Sequence, residues 1–257
     1  MSILFHDIIF GPVRSRRLGY SLGINLLPTN SKICSFNCIY CECGWTPVNT
    51  PLSKFNSRKD IFSELEIRLI EIKNNNEPLD VITFAGNGEP TLHPEFSEIV
   101  DDVILLRNKY FPEKKIAVLS NATKLGNAKI LESLRKIDLP ILKLDSAIES
   151  TFRIINNPPS KFDFNKYINN LSNFKDKIIV QTMFLRGEIN GQKFDNTTEI
   201  ELNEWLKIVK PLNPVNVMIY SIDRKPPSKN LVKILPDELK LIAGKLKAHN
   251  LNVMTAF

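Results

Sequence analysis

All four cysteines of the chain, Cys34, Cys38, Cys41 and Cys43, lie within the stretch Lys32-Ile-Cys-Ser-Phe-Asn-Cys-Ile-Tyr-Cys-Glu-Cys-Gly-Trp45. Thiols this crowded do not staple distant segments as a disulfide scaffold does. They suit a metal site in a reducing compartment. Three residues separate Cys34 from Cys38, and two separate Cys38 from Cys41. A tight loop with that spacing can aim three thiolates at one iron–sulfur cubane. Such clusters usually take four cysteines, so three would leave one iron open to another ligand. Structural zinc is a competing reading, but zinc sites usually pair short cysteine knuckles far apart in sequence. Cys41 and Cys43 are also too close in the chain to help close a tetrahedron easily. Inert thiols are another reading. So is a simple electron-transfer ferredoxin, although it would not need the long scaffold that follows residue 45.

Chemistry at such a loop needs elements that position it. After the cysteines, short apolar runs alternate with longer segments of helical period. Strands are expected at Gly23–Leu27, Asp80–Ala85, Lys115–Ser120, Pro140–Ser146, Lys177–Leu185 and Pro214–Tyr220, with a seventh at Leu251–Ala256. Several are nearly continuous apolar runs, as in a parallel sheet covered on both faces. Ser57 can cap a helix running through Ile61, Leu65, Leu69 and Ile72, and Pro94 suits the first residue of a helix through Phe96, Ile99, Val103 and Leu106. Weaker helical patterns cover Leu125–Ile137, Phe164–Phe174, Glu199–Val209 and Asp237–Asn250, the last preceded by Pro236. The alternation predicts right-handed βαβ units, whose chemistry gathers in the loops after the strand carboxyl ends. The cysteine loop follows the first expected strand.

Composition sets outer bounds. The 257 residues are 43% hydrophobic and 24% charged, with net charge +6. The length can bury a useful core. The charge weakly favours an anionic partner, with Arg14, Arg16 and Arg17 as a compact basic cluster before the loop. No run approaches the roughly 20 apolar residues of a membrane helix, and the opening residues lack the charge order of a secretory signal. A cytoplasmic protein without membrane attachment is expected. With no Gly-, Ser- or Pro-rich linker, the expectation is one domain over 1–257, with an N-terminal extension at 1–22 and a cluster-binding loop at 30–46. Pro226–Pro227 reads as a local turn.

With Tyr40 before the third cysteine, Cys34-x3-Cys38-x2-Cys41 resembles the signature of the radical S-adenosylmethionine (SAM) superfamily. The resemblance implies a partial (β/α)6 barrel of parallel strands with outer helices and one [4Fe–4S] cluster on Cys34, Cys38 and Cys41. It also implies S-adenosyl-L-methionine bound to the open iron through its amine and carboxylate. Reduction by an external donor such as flavodoxin or ferredoxin would cleave SAM to a 5′-deoxyadenosyl radical. Gly86-Asn-Gly-Glu-Pro-Thr-Leu-His93, after the second expected strand, resembles the family's glycine–glutamate motif, which contacts the SAM amino group. Glycines permit close backbone approach and a carboxylate suits an ammonium, but a plain Gly-rich βα turn has the same look.

The cofactor-binding candidates are Tyr40, Gly86, Gly88, Glu89, Asn121, Asp145, Gln181 and Tyr220. Asn121, within Ser120-Asn-Ala-Thr123, reads either as a cofactor or substrate contact or as a turn that caps the next helix. Asp145 reads as a SAM ribose ligand or as half of an ion pair with Lys143. Gln181 and Tyr220 sit toward strand ends, as does Met183, which core packing explains equally well. Arg186 suits a carboxylate or a phosphate. His6 and His93 lack metal-ligand spacing.

Gly11-Pro-Val-Arg-Ser-Arg-Arg-Leu-Gly-Tyr-Ser-Leu-Gly23 extends the resemblance to the wyosine-synthase-related branch, which implies modification of a tRNA base. Arg14 and Tyr20 depart from that branch's proline and arginine. The tRNA 4-demethylwyosine synthases carry further cysteines, N-terminal to the motif, for a second cluster. None precedes Cys34 here, and Cys43 alone cannot replace them; it reads as a packing or capping thiol in preference to a catalytic one. A tRNA or other anionic substrate, a small metabolite and a peptide all stay open.

Overall fold

The computed structural model of the chain describes residues 3–47, 54–224 and 226–257. They divide into two compact units. The first unit takes the described residues of Leu4–Ser35 and Thr46–Pro140, and the second those of Met1–Ile3, Phe36–Trp45 and Ile141–Phe257. Cys34 therefore belongs to the first unit and the other three cysteines to the second.

The first unit opens with β1 (Ile9–Ser15) and β2 (Gly19–Ile24), an antiparallel hairpin. It continues with α1 (Arg58–Asn74), β3 (Val81–Phe84), α2 (Phe96–Tyr110), β4 (Lys115–Ser120) and α3 (Ala128–Lys136). Strands β2, β3 and β4 pair in parallel. The Ser57 hydroxyl accepts the Asp60 N–H at the start of α1, and Ile61, Leu65, Leu69 and Ile72 form its buried stripe, as the period predicts. Helix α2 begins two residues after Pro94, because Pro90–Leu92 first make a turn of 3-10 helix.

The strand expected at Gly23–Leu27 lies earlier, and the stretch read as an extension holds β1 and the start of β2. Gly19, Ser21 and Gly23 mask the apolar signal. The Ser21 hydroxyl is satisfied by Thr83 on the adjoining strand, at 2.7 Å. The strand stops at Ile24 because the Asn25 side-chain oxygen accepts the Leu27 N–H at 3.2 Å and turns the chain.

The second unit contains β5 (Leu139–Lys143, through Ile141–Lys143), α4 (Glu149–Asn156), α5 (Phe164–Leu171), β6 (Ile179–Met183), β7 (Leu185–Ile189) and β8 (Gln192–Asp195). Then come α6 (Glu199–Leu212), β9 (Asn216–Tyr220), β10 (Leu231–Lys233), α7 (Pro236–Ala248) and β11 (Val253–Ala256). Strands β5, β6, β9 and β11 pair in parallel in that order, so the seventh expected strand is present. Trp205 of α6 is buried against them, its indole N–H 3.2 Å from both the Leu144 carbonyl and the Thr182 hydroxyl.

Two features depart from the expected alternation. The run Lys177–Leu185 is two strands, because the Phe184 N–H turns to the Tyr220 carbonyl and Leu185 starts a separate antiparallel sheet ordered β10-β7-β8. The β7–β8 turn is Asn190-Gly191, both residues with positive φ (51° and 79°), the two-residue turn that suits strand twist. The second departure is α4, closed by Asn157 in the left-handed region at φ 41°. Among the described residues, no helix is long and apolar enough to cross a membrane.

Candidate functional site

In the first unit the glycine–glutamate turn lies directly against the start of the cysteine loop. Ile33 donates its N–H to the Asn87 carbonyl and accepts from the Glu89 N–H, both at 3.0 Å. Gly88 lies between, at φ +134°, where an added Cβ would stand 1.9 Å from the Ile33 carbonyl oxygen. Gly86 is similarly constrained, at φ +149°, where an added Cβ would stand 2.4 Å from the Asn25 side-chain oxygen. Only glycine admits so close an approach.

The Glu89 carboxylate is buried and accepts four hydrogen bonds. They come from the Thr91 N–H (3.1 Å), the Thr91 hydroxyl (2.5 Å), the Ser120 hydroxyl (2.8 Å) and the Asn121 N–H (2.6 Å). Burial pushes its pKa up, and these donors work against that rise. Asn121 in turn donates its side-chain amide to the Ser35 hydroxyl at 2.9 Å and to Cys34 Sγ at 3.6 Å. Thr123 and Ser35 share a further 2.7 Å hydroxyl contact. The loop after β4 is thus bonded on one side to Glu89 and on the other to the first cysteine.

In the second unit the rest of the loop is held by packing and by a polar cradle. Phe36 is buried with its ring edge-on to Phe152 (5.6 Å), Phe162 (5.3 Å) and Tyr167 (6.2 Å). The end of α4 accepts the loop's backbone. The Ile39 N–H bonds Ile155 O at 3.0 Å, and the Asn37 N–H is shared by Asn156 O and Asn157 O at 3.1 Å each. Under the loop, Asp145 accepts from the Tyr40 hydroxyl (2.5 Å), the Asn156 amide (2.7 Å) and the Met183 N–H (2.9 Å). Lys143 Nζ stands 3.5 Å from Asp145 and donates to the Tyr40 hydroxyl.

Burial works against charge on Lys143, but Asp145, together with Tyr220, Cys38 and Tyr167, more than reverses that and keeps the ammonium protonated. Burial, then the Asp145 carboxylate, hold the Tyr40 phenol protonated well above its ordinary range. Burial likewise raises the Cys38 thiol pKa, with Lys143 opposing. A metal would have to displace that proton. Beyond the cradle, Gln181 donates to the Tyr220 hydroxyl at 2.7 Å, while its side-chain oxygen is buried with no hydrogen-bond partner among the described residues.

The expected residues therefore separate into two sets. The first unit brings Gly86, Gly88, Glu89 and Asn121 to Cys34. The second brings Tyr40, Asp145 and Lys143 to Cys38, and Gln181 to Tyr220. The Lys143–Asp145 ion pair is present. Arg186 already has carboxylate partners in Asp195, at 3.0 Å, and Glu238. His93 is used in the fold, with Nε2 on the Asn56 carbonyl (2.9 Å) and Nδ1 accepting the Glu95 N–H (3.1 Å).

None of the four cysteines is in a disulfide. Among the described residues, no three His, Cys, Asp or Glu side chains are gathered tightly enough to hold a single ion. A cubane spaces its thiolates more widely than one ion does. Sequence reasoning missed Asn156, because it missed α4. The cue was the Glu149–Arg153 pair at i,i+4 with Phe152 and Ile155 on one face, and that ion pair forms at 2.8 Å.

A family model described as the radical SAM superfamily matches residues 31–200. A Brachyspira hyodysenteriae protein named GTPase Obg is 34% identical over 231 residues, covering 90% of this chain and 32% of that protein, so the chain spans about a third of its length. UPF0026 protein MJ1312 of Methanocaldococcus jannaschii is 35% identical over 249 residues, covering 95% of this chain and 71% of that protein. Among solved structures, Streptococcus suis SuiB bound to S-adenosylmethionine aligns with TM-score 0.64 at 15% identity, over 91% of this chain and 50% of that one. TYW1 with a lysine–pyruvate adduct bound aligns with TM-score 0.63 at 15% identity, over 90% of this chain and 74% of that one. These likenesses show the fold, the mostly parallel α/β class that the alternation predicts.

Proposed function

The chain belongs to the radical SAM superfamily of enzymes, and we propose that it holds one [4Fe–4S] cluster on Cys34, Cys38 and Cys41 with S-adenosyl-L-methionine as its co-substrate. The observation that carries this reading is the three-thiol motif, free of disulfides and lying inside the matched segment. When bound and reduced by an external donor such as flavodoxin or ferredoxin, the cluster supplies the electron that cleaves SAM to methionine and a 5′-deoxyadenosyl radical.

The chain's own part is to bind and orient. Asn121 steadies Cys34, and the clamp from α4 fixes the backbone on both sides of Cys38. Gln181, with its buried unpartnered oxygen, suits a ligand N–H or ammonium and is the strongest direct contact among the residues proposed for SAM. Tyr220 orients it. Gly86 and Gly88 supply close backbone approach. Glu89 and Asp145, whose oxygens are already bonded, act by holding Asn121 and Tyr40 in place.

Anaerobic reconstitution of the wild type with iron and sulfide tests this. About four irons per chain should be taken up, as a cubane requires. Dithionite-reduced protein should convert SAM to 5′-deoxyadenosine and methionine. Stoichiometric zinc without iron uptake overturns the cluster reading, and a loaded cluster that never cleaves SAM overturns the reaction.

The substrate we propose is a tRNA base. Support comes from the net charge of +6 and from Arg14 and Arg16, exposed on the β1–β2 hairpin. Incubation with SAM, reductant and tRNA from a strain lacking the gene, followed by nucleoside mass spectrometry, should reveal a modified nucleoside. An unchanged nucleoside profile, with no tRNA binding at low salt, sends the search to metabolites and peptides.

A further inference from the structure

We propose that Asn156 is a positioning residue whose side-chain amide donates a hydrogen bond to the thiolate of Cys38 and thereby raises the reduction potential of the cluster. The inference rests on the cluster reading above and adds a specific source of its tuning.

Asn156 is the last residue of α4 and is fully buried. Its Nδ2 lies 3.4 Å from Cys38 Sγ and 2.7 Å from Asp145 Oδ2. An amide NH2 carries two protons, so one can serve each acceptor. Asp145 also fixes which way the amide points. Turning it over would set the Asn156 carbonyl oxygen against a carboxylate that already accepts from Tyr40, Met183 and Asn156 itself. The other amide atom, Oδ1, has no hydrogen-bond partner among the described residues, so nothing there competes for the orientation. The backbone adds precision. Asn156 O accepts the N–H of Asn37, next to Cys38, and Ile155 O accepts the N–H of Ile39 on its other side, so the amide and the thiol are held by the same few residues.

A hydrogen bond to a cluster sulfur stabilises the more negative, reduced state. Bonds of this kind are among the determinants of cluster potential. The long range of the contact, 118 positions in sequence, makes it invisible to motif reading.

The test compares wild-type holoprotein with Asn156→Leu and Asn156→Ser, each reconstituted anaerobically. Readouts are iron content, thermal melting of the apo chain, and the cluster midpoint potential from a reductive titration followed by electron paramagnetic resonance. At a fixed solution potential, the reduced-to-oxidised ratio should fall about tenfold in both variants, which is about 59 mV for a one-electron couple. An unchanged midpoint in either variant that holds its cluster overturns the proposal. If both variants melt like wild type yet take up no iron, the amide holds the cluster in place instead of tuning it and the proposal falls. If they lose iron and also melt early, the backbone clamp is responsible and the proposal falls. Wild type without iron uptake would overturn the cluster reading itself, a different result from loaded wild type and variants with equal midpoints.

Discussion

Phe36 and Tyr40 share the cysteine loop with the thiols and decide where the loop can lie. Tyr40 was legible because an aromatic before the third cysteine is part of the motif. Phe36 was not, since its three aromatic partners stand more than a hundred positions downstream. The proposed cluster divides the cysteines by role. Cys34→Ala, Cys38→Ala and Cys41→Ala should each lose the reconstituted iron, whereas Cys43→Ala should keep about four irons per chain, measured by iron and sulfide analysis. His93 makes a separate prediction. Burial lowers its pKa below the usual 6.5, only partly offset by its bond to the Asn56 carbonyl. Its Nδ1 already accepts a backbone N–H, so a proton there must break a bond. A depressed histidine pKa favours the neutral form in the folded state. Its stabilising contribution is therefore complete above pH 6.5 and is lost as pH falls through the folded value. Urea unfolding from pH 7.5 to 5 should show wild type losing more stability than His93→Gln. Equal slopes would remove His93 from the account.

At the scale of elements, α4 is the piece that the sequence concealed. It is short, and the stronger sequence signal is the strand run Pro140–Ser146 just before it. Yet its end clamps the cysteine loop, and Phe152 anchors the aromatic cluster around Phe36. Phe152→Ala should destabilise the protein by about 3–5 kcal/mol, read from denaturant midpoints, as expected for a fully buried ring. In the first unit, Gly88→Ala meets both a forbidden φ and a backbone oxygen. The backbone strain alone amounts to about 1–3 kcal/mol, and the loss of iron uptake should be at least as clear as the loss of melting temperature. A Gly88→Ala protein with wild-type stability would show that the turn can move. The β7–β8 hairpin was legible in principle through Asn190-Gly191. What hides it is the run Lys177–Leu185, which reads as one strand across the junction of β6 and β7.

Across the whole molecule, the alternation of strands and helices identified the fold class from residues alone, because parallel βα units leave apolar runs that chance seldom repeats. What stayed hidden is antiparallel or irregular: the first strand, the small three-stranded sheet and the helix at the loop. Of these, β10 and the helix at the loop depend on partners distant in the chain. The substrate prediction also belongs at this scale. If tRNA is bound through phosphates, affinity should fall steeply between 50 and 200 mM salt, by a factor set by the number of contacts. Arg14→Ala/Arg16→Ala should flatten that slope in a filter-binding titration, and a salt-independent interaction would point away from RNA. The clamp on the cysteine loop bears finally on the order of events during synthesis. Cys38 and the Asn156 that bonds it are 118 positions apart. At about 5–20 residues per second, the thiol leaves the ribosome roughly 6–24 s before its partner. Throughout that interval the nascent loop has lost access to none of its neighbours upstream but cannot yet close on α4, so its sulfurs are open to iron carriers and oxidants alike. Iron delivered to the growing chain would meet a pliable ligand loop, whereas iron delivered after release would meet one already fastened in place.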